Sequence, residues 1–149
     1  MDAREFKLMF DSVSKNFGFA KNFGGWFKES SECIVVLDLQ KSNYSNSYYL
    51  NIKVYIQGFF GVTYVMNKFL VKNDVGIVST RSPKEYRDIF DLENQLENIN
   101  REEKLHKLFI EFLMPFTNKA LVRSGIKKLA EDDEILLQPA VQKELYSTM

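Results

Sequence analysis

The residues best suited to bind a ligand are polar side chains within or at the ends of predicted strands. Asp38 interrupts the otherwise apolar stretch 33–40, and a buried carboxylate needs a partner, which Arg81 could supply. One hypothesis is a hydrogen-bonded pair that pins the sheet. The alternative is a polar patch at the sheet end that contacts a ligand or a protein. Its members would be Trp26, Asp38, Gln40, Ser42, Tyr49, Asn51 and Arg81.

Three other features could carry chemistry, but each has a simpler structural explanation. His106 lies beside the apolar stripe of a predicted helix, and the chain has no second histidine. Cys33 begins an apolar strand, where a free thiol behaves as a small hydrophobic side chain. The acidic run 131–134 lacks the glycine and the alternating spacing of a calcium loop. We therefore predict no catalytic residue and no metal site.

Composition narrows the classes of function. Twenty basic residues balance twenty acidic ones, whereas proteins that bind nucleic acid through its phosphates usually carry a basic excess. The sequence contains no glycine-rich phosphate loop, nucleophile elbow or zinc-ligand set. It also shows no signal-peptide pattern and no apolar stretch near the roughly 20 residues that cross a bilayer. We expect a cytoplasmic protein with no cofactor and no nucleic-acid or membrane partner. Its zero net charge is compatible with a homo-oligomer.

Helices are predicted at both ends of the chain. Asp2 can cap the first helix with Glu5 in the capping-box position, and Gly18 can end it. The C-terminal third is also predicted to be helical, and Pro115 should end or kink one of its helices. The apolar stripe of that helix, which we expect to be buried, consists of Leu105, Leu108, Phe109 and Phe112.

Strands are predicted between the helices, at 26–29, 33–40, 48–56 and 75–80. In the second of these, both the odd- and the even-numbered residues are mostly apolar, which is typical of a strand covered on both faces. The third alternates, so its even-numbered residues should face the core while Asn51, Lys53 and Gln57 face away. This order of elements predicts an α+β fold. It would have an antiparallel sheet of four or five strands, an N-terminal helix and a helical C-terminal third, in one domain spanning residues 1–149.

The segment 58–74 has many aromatic residues and no sustained period. It is either a bulged continuation of a strand or an excursion packed over the sheet. If its rings are exposed, they would form a surface for a partner. In that case, charging Phe59, Phe60 or Tyr64 would abolish binding while leaving the melting temperature nearly unchanged.

Several short motifs resemble a known bacterial family, the one catalogued as domain of unknown function 4304. They are Gly18 and Phe19, the aromatic strand start at Trp26 and Phe27, and the stretches 39–42 and 49–52. Arg81 is similar to that family's arginine after its last strand. The resemblance covers roughly the first 81 residues. It implies a small bacterial α+β protein with no assigned activity, and it suggests an immunity role, since some members lie near toxin systems.

Three hypotheses for function follow. The leading one is a non-enzymatic protein-binding module of a bacterial cytoplasm, with an immunity-type inhibitor as its specific form. The alternative is a small-molecule binder or enzyme that uses a polar site at the sheet end, formed by Asp38, Gln40, Asn51 and Arg81. The third is a homo-oligomeric structural protein. A deep pocket lined by those polar residues would favour the second hypothesis, and a flat aromatic or acidic surface would favour the first.

Overall fold

Five antiparallel strands form the centre of the structure, a computed structural model that describes residues 1–147. They are β1 (Ala20–Asn22), β2 (Gly25–Glu29), β3 (Cys33–Lys41), β4 (Tyr48–Ile56) and β5 (Val78–Arg81), and they are arranged in that order across the sheet. The predicted α+β class and antiparallel sheet are confirmed. The strand β1 is not among the four predicted from the sequence, and it forms a hairpin with β2 because Phe23 and Gly24 both adopt positive φ, at 55° and 78°.

The first face of the sheet carries the N-terminal helix α1 (Ala3–Asn16). As predicted, the Asp2 side chain accepts a hydrogen bond from the Glu5 backbone N–H, at 2.8 Å. Gly18 follows the helix with a φ of 87°, a conformation that costs glycine little. The helix buries Phe6 and Phe10 in the main core, against the side chains that the strands direct to this face.

The second face is covered only in part, by residues 62–74, which we call the cap. The cap follows a 3-10 turn at Phe59–Gly61 and includes the short helix α2 (Lys68–Lys72). Its Leu70 and Val71 pack on Ile34 and Val36 of β3. Residues 33–39 of β3 are therefore buried on both parities, as predicted.

The cap also buries Lys53 of β4, a residue that we expected to face away from the core. The even-numbered residues from Tyr48 to Ile56 are buried in the main core, as predicted, and Lys53 lies on the opposite face. Lys53 is nevertheless only 6% exposed, because the cap covers that part of the second face. The alternating pattern gives the correct face of each residue but does not show that a second layer lies over half of the strand.

The C-terminal part is helical, as predicted, and packs on the first face. After a 3-10 turn at Lys84–Tyr86, it comprises α3 (Arg87–Phe90), α4 (Asn98–Leu108), α5 (Met114–Ala120), α6 (Arg123–Glu131) and α7 (Pro139–Ser147). None of the helices within residues 1–147 is both long and apolar enough to cross a membrane.

A π-helical turn, Phe109–Leu113, joins α4 to α5 where we expected the helix to end or kink at Pro115. Pro115 instead lies in the first turn of α5, where its missing N–H is tolerated. The wider turn changes which side chains face inward. Phe109 is buried as predicted, but Leu113 is buried in place of Phe112, which is only half-buried.

Candidate functional site

A cleft of about 660 Å³ lies on the second face of the sheet, beside the cap. We call it the sheet cleft. Its floor is formed by side chains of β3, β4 and β5 that share this face, and its wall by the end of α2 and the loop after it. The lining residues are Asp38, Gln40, Asn51, Lys53, Lys72–Val75 and Ser79–Arg81. Four of the seven residues predicted for a polar site therefore meet here.

Arg81 is held in this cleft by three side chains. Its guanidinium carbon lies 4.2 Å from the centroid of the Tyr49 ring, a cation–π contact. Its Nε donates to Asn51 Oδ1 at 3.0 Å, and its Nη2 donates to Gln40 Oε1 at 3.2 Å. Asn51 Nδ2 donates to the same Gln40 oxygen at 2.8 Å. Arg81 Nη1 donates no hydrogen bond to any residue from 1 to 147, so this edge of a fixed guanidinium is free for a ligand.

The predicted pair between Asp38 and Arg81 is wrong. Asp38 instead contacts two lysines, Lys72 at 2.8 Å and Lys53 at 3.9 Å. Arg81 pairs with Asn51 across β4 and β5, and its side chain extends over the sheet to Gln40, away from Asp38. The partner that the buried carboxylate needs comes from the cap, whose structure the sequence did not predict.

Lys53 and Lys72 are the two cations of this cleft that sequence reasoning missed. Lys53 Nζ also donates to the Val71 carbonyl oxygen at 2.5 Å. Burial lowers the pKa of the Lys53 amine, and Asp38 opposes that shift. Nothing in the alternating pattern of β4 distinguishes Lys53 from a solvated lysine. The groups that bury it belong to the cap, and Val71 lies 18 residues further along the sequence.

Two of the predicted site residues lie elsewhere. Trp26 is buried on the first face, where its Nε1 donates to Asp11 Oδ1 at 3.0 Å. Ser42 shapes the turn between β3 and β4, since its Oγ accepts a hydrogen bond from the Tyr44 backbone N–H at 3.1 Å. Both side chains stabilise the fold and neither lines the sheet cleft.

Cys33 and His106, which the sequence offered as a possible nucleophile and proton carrier, also lie outside the cleft. Cys33 is fully buried, and this burial raises the pKa of its thiol to about 12. The His106 ring packs on Phe17 with centroids 5.9 Å apart. In the acidic run, Asp132 pairs with Lys128 at 3.1 Å. Across residues 1–147, no group of three or more acidic, histidine or cysteine side chains is placed to hold a metal ion.

The aromatic residues of the segment 58–74 divide between core and surface, since Phe59 is buried and Tyr64 half-buried whereas Phe60 and Phe69 are exposed. Phe59 has no exposed surface and belongs to the main core, and Tyr64 packs on Tyr55 with ring centroids 5.0 Å apart. Phe60 is 53% exposed and has a left-handed φ of 55°. The prediction that all three rings could be charged without unfolding the protein is therefore contradicted for Phe59 and Tyr64.

Comparisons with known proteins give one match. No curated protein and no solved structure is significantly similar to this chain. The model of a family described as a domain of unknown function, DUF4304, matches residues 10–119. This match spans all five strands, Arg81 and the residues that hold it. The chain therefore belongs to the DUF4304 family.

Proposed function

We propose that this chain is a non-catalytic binding protein that holds an anionic group of its ligand against Arg81 in the sheet cleft. The observation that carries the proposal is the fixed guanidinium. Tyr49, Asn51 and Gln40 all contact the guanidinium of Arg81, and its Nη1 donates no hydrogen bond within residues 1–147. A side chain that is already ordered loses little entropy when a ligand binds, which favours affinity.

The charges around the cleft support an anionic ligand. Arg81 has no carboxylate within 4.0 Å among the described residues, whereas Lys53 and Lys72 share Asp38. The other acid of the cleft, Asp74, accepts a hydrogen bond from the backbone N–H of Val75 at 2.8 Å. Arg81 is thus the cation without a counter-charge. A planar guanidinium binds carboxylate and phosphate oxygens well.

Binding rather than catalysis is supported by what surrounds Arg81. The Lys53 amine, the side chain in the cleft most able to act as a nucleophile, already donates to Val71 and is close to Asp38. Cys33 and His106 lie outside the cleft. A protein partner would present the anionic group as an acidic side chain or a C-terminus. An immunity-type inhibitor in a bacterial cytoplasm would be one form of such a binding protein.

The test is a titration of the protein with small carboxylates, followed by amide chemical shifts in NMR spectra. We expect the shifts to concentrate on residues around Arg81 and Asn51. Arg81→Gln should weaken binding by about 10- to 100-fold, since a hydrogen bond to a charged group contributes about 1.5–3 kcal/mol. Arg4, an exposed arginine on α1, supplies the matched control, because Arg4→Gln should leave the affinity unchanged. Equal affinities for the wild type and Arg81→Gln would refute the proposal.

A further inference from the structure

A second cleft, of about 580 Å³, lies on the other side of Arg81, and we call it the terminal cleft. It lies just beyond the end of β5, where the chain separates from its neighbouring strand β4. The Ser82 N–H still donates to the Leu50 carbonyl oxygen, at 3.3 Å. The chain returns to the sheet at an isolated bridge between Asp91 and Ser47, the residue just before β4. The residues between these points form the wall of the cleft, and Arg81 lines both clefts.

The terminal cleft contains further cations without counter-charges. Lys84 and Arg87 line it together with Arg81, and none of the three has a carboxylate within 4.0 Å in the described part of the chain. The acids of this cleft, Asp91 and Glu93, form no ion pair with these three cations, and each accepts a hydrogen bond from a backbone N–H. Asp91 Oδ1 accepts from the Glu93 N–H at 3.0 Å, and Glu93 Oε1 accepts from the Asn46 N–H at 2.9 Å.

A buried arginine fixes the wall of this cleft. Arg101 of α4 is 1% exposed, and its Nη1 donates to the carbonyl oxygens of Asp88, Ile89 and Asp91 at 3.0, 2.6 and 3.0 Å. Its Nη2 donates to Asn94 Oδ1 at 2.8 Å. The segment that carries Arg87 is therefore held in place from inside the protein. A wall of this kind is preorganised to receive a ligand.

We propose that the two clefts form one extended site for a ligand with two anionic groups. One group binds Arg81 from the sheet cleft, and the other binds Lys84 and Arg87 in the terminal cleft. The inference rests on the proposed function, since it assumes that Arg81 holds an anion. When one group is bound, the second is present at high effective concentration, so a dianion of suitable length binds much more tightly than a monoanion. The ligand class is a dicarboxylic acid or a phosphorylated carboxylic acid of short spacer length.

The experiment compares probes that differ in the number and spacing of their charges. Acetate is the monoanion, and the dicarboxylates from succinate to pimelate vary the spacer. 3-Phosphonopropionate distinguishes a phosphate-like second group from a carboxylate. Calorimetric titrations should show at least one dianion binding about 10-fold or more tightly than acetate, with an optimum spacer length. Arg87→Gln and Lys84→Gln should each reduce this ratio, and Arg4→Gln should leave it unchanged.

The outcomes separate the two proposals. If acetate binds in an Arg81-dependent manner and no dianion binds more tightly, the two-anion inference is wrong and the proposed function stands. If Arg87→Gln weakens acetate and the dianions equally, the terminal cleft is part of a single anion site, which also overturns the inference. If Arg81→Gln changes no affinity, or no probe binds, both proposals fail. Lys84 and Arg87 are exposed, so unchanged melting temperatures will show that their variants are folded.

Discussion

Replacing Asp38 by asparagine tests the charge arrangement beneath the sheet cleft. The substitution keeps the shape of the side chain but removes the negative charge that faces the Lys53 amine, 3.9 Å away. Lys53 is 6% exposed and then has no carboxylate within 4.0 Å, and only the more distant Asp74 still favours its charged form. Breaking a buried ion pair by removing one partner typically costs about 3–5 kcal/mol, because it leaves a buried charge without compensation. We expect the free energy of unfolding to fall by about that amount.

Replacing Lys53 by methionine should destabilise the protein less than Asp38→Asn does, and this difference between the two variants is the more discriminating part of the test. In Lys53→Met, Asp38 keeps Lys72 at 2.8 Å, and only the Val71 carbonyl oxygen loses its donor. We expect a loss of about 1–2 kcal/mol. The double variant should be less destabilised than the sum of the two single variants, because removing Lys53 also removes the buried charge that Asp38→Asn leaves unpaired.

Urea unfolding followed by tryptophan fluorescence measures these changes, since Trp26 is the only tryptophan and is buried. The pH dependence supplies a second readout. Burial lowers the pKa of Lys53 in the folded protein, so the unfolded chain binds more protons at this group. The contribution of Lys53 to stability therefore rises as the pH increases from the folded pKa towards its unfolded value of about 10.4. Loss of Asp38 lowers this pKa further. The difference in stability between Asp38→Asn and the wild type should therefore shrink at alkaline pH.

Two results would refute this account. A loss below about 1 kcal/mol for Asp38→Asn at neutral pH would show that Lys53 does not depend on Asp38. A larger loss for Lys53→Met than for Asp38→Asn would show that the packing of the lysine stem, rather than its charge, dominates.

Further predictions concern Arg101, Cys33 and the neighbouring rings Phe59 and Phe60. Arg101→Met should lower the free energy of unfolding by about 3–5 kcal/mol in urea titrations, because three carbonyl oxygens lose their donor and each unsatisfied buried group costs about 1–3 kcal/mol. A loss below about 1 kcal/mol would contradict this. Cys33, whose thiol pKa is raised to about 12, should react with a thiol reagent only when the protein unfolds. Its unfolded pKa is about 8.5, so the contribution of this thiol to stability should fall by up to about 1.4 kcal/mol per pH unit above that value, and the wild type should lose more stability over this range than Cys33→Ala. Phe59→Ala should cost about 3–5 kcal/mol, whereas Phe60→Gly should stabilise the protein by up to about 1 kcal/mol in thermal unfolding, because glycine adopts the positive φ at that position without strain.

The fold could be predicted from the sequence wherever a local pattern determines it. Capping at Asp2 and the alternation along β4 both depend on neighbouring residues, and both predictions are confirmed. The sequence left two alternatives for residues 58–74, and the structure shows the second, an excursion packed over the sheet. The sequence could not decide between them, because residues 62–74 pack through a few apolar contacts with no sustained period. The π-helical turn at Phe109–Leu113 also has no local pattern, and it altered the burial of Phe112.

Part of the candidate site could also be predicted, where a local sequence pattern determines the position of a residue. Gln40, Asn51 and Arg81 meet because strand parity and register place them on one face. The partner of Asp38 could not be predicted because Lys72 belongs to the cap. Arg101 did have a local signal that we did not use. It lies four residues before Leu105 on the buried stripe of α4, where an arginine needs several hydrogen-bond acceptors.

The cap covers part of the second face and also forms the wall of the sheet cleft. The main core lies on the first face, whereas the cap contacts Ile34, Val36 and Tyr55 through the smaller cluster that contains Leu70 and Val71. The end of the cap, from Lys72 to Asp74, lines the cleft. A change in the length or sequence of this one segment would therefore reshape the cleft, while the strands continue to present Arg81 and the side chains that hold it.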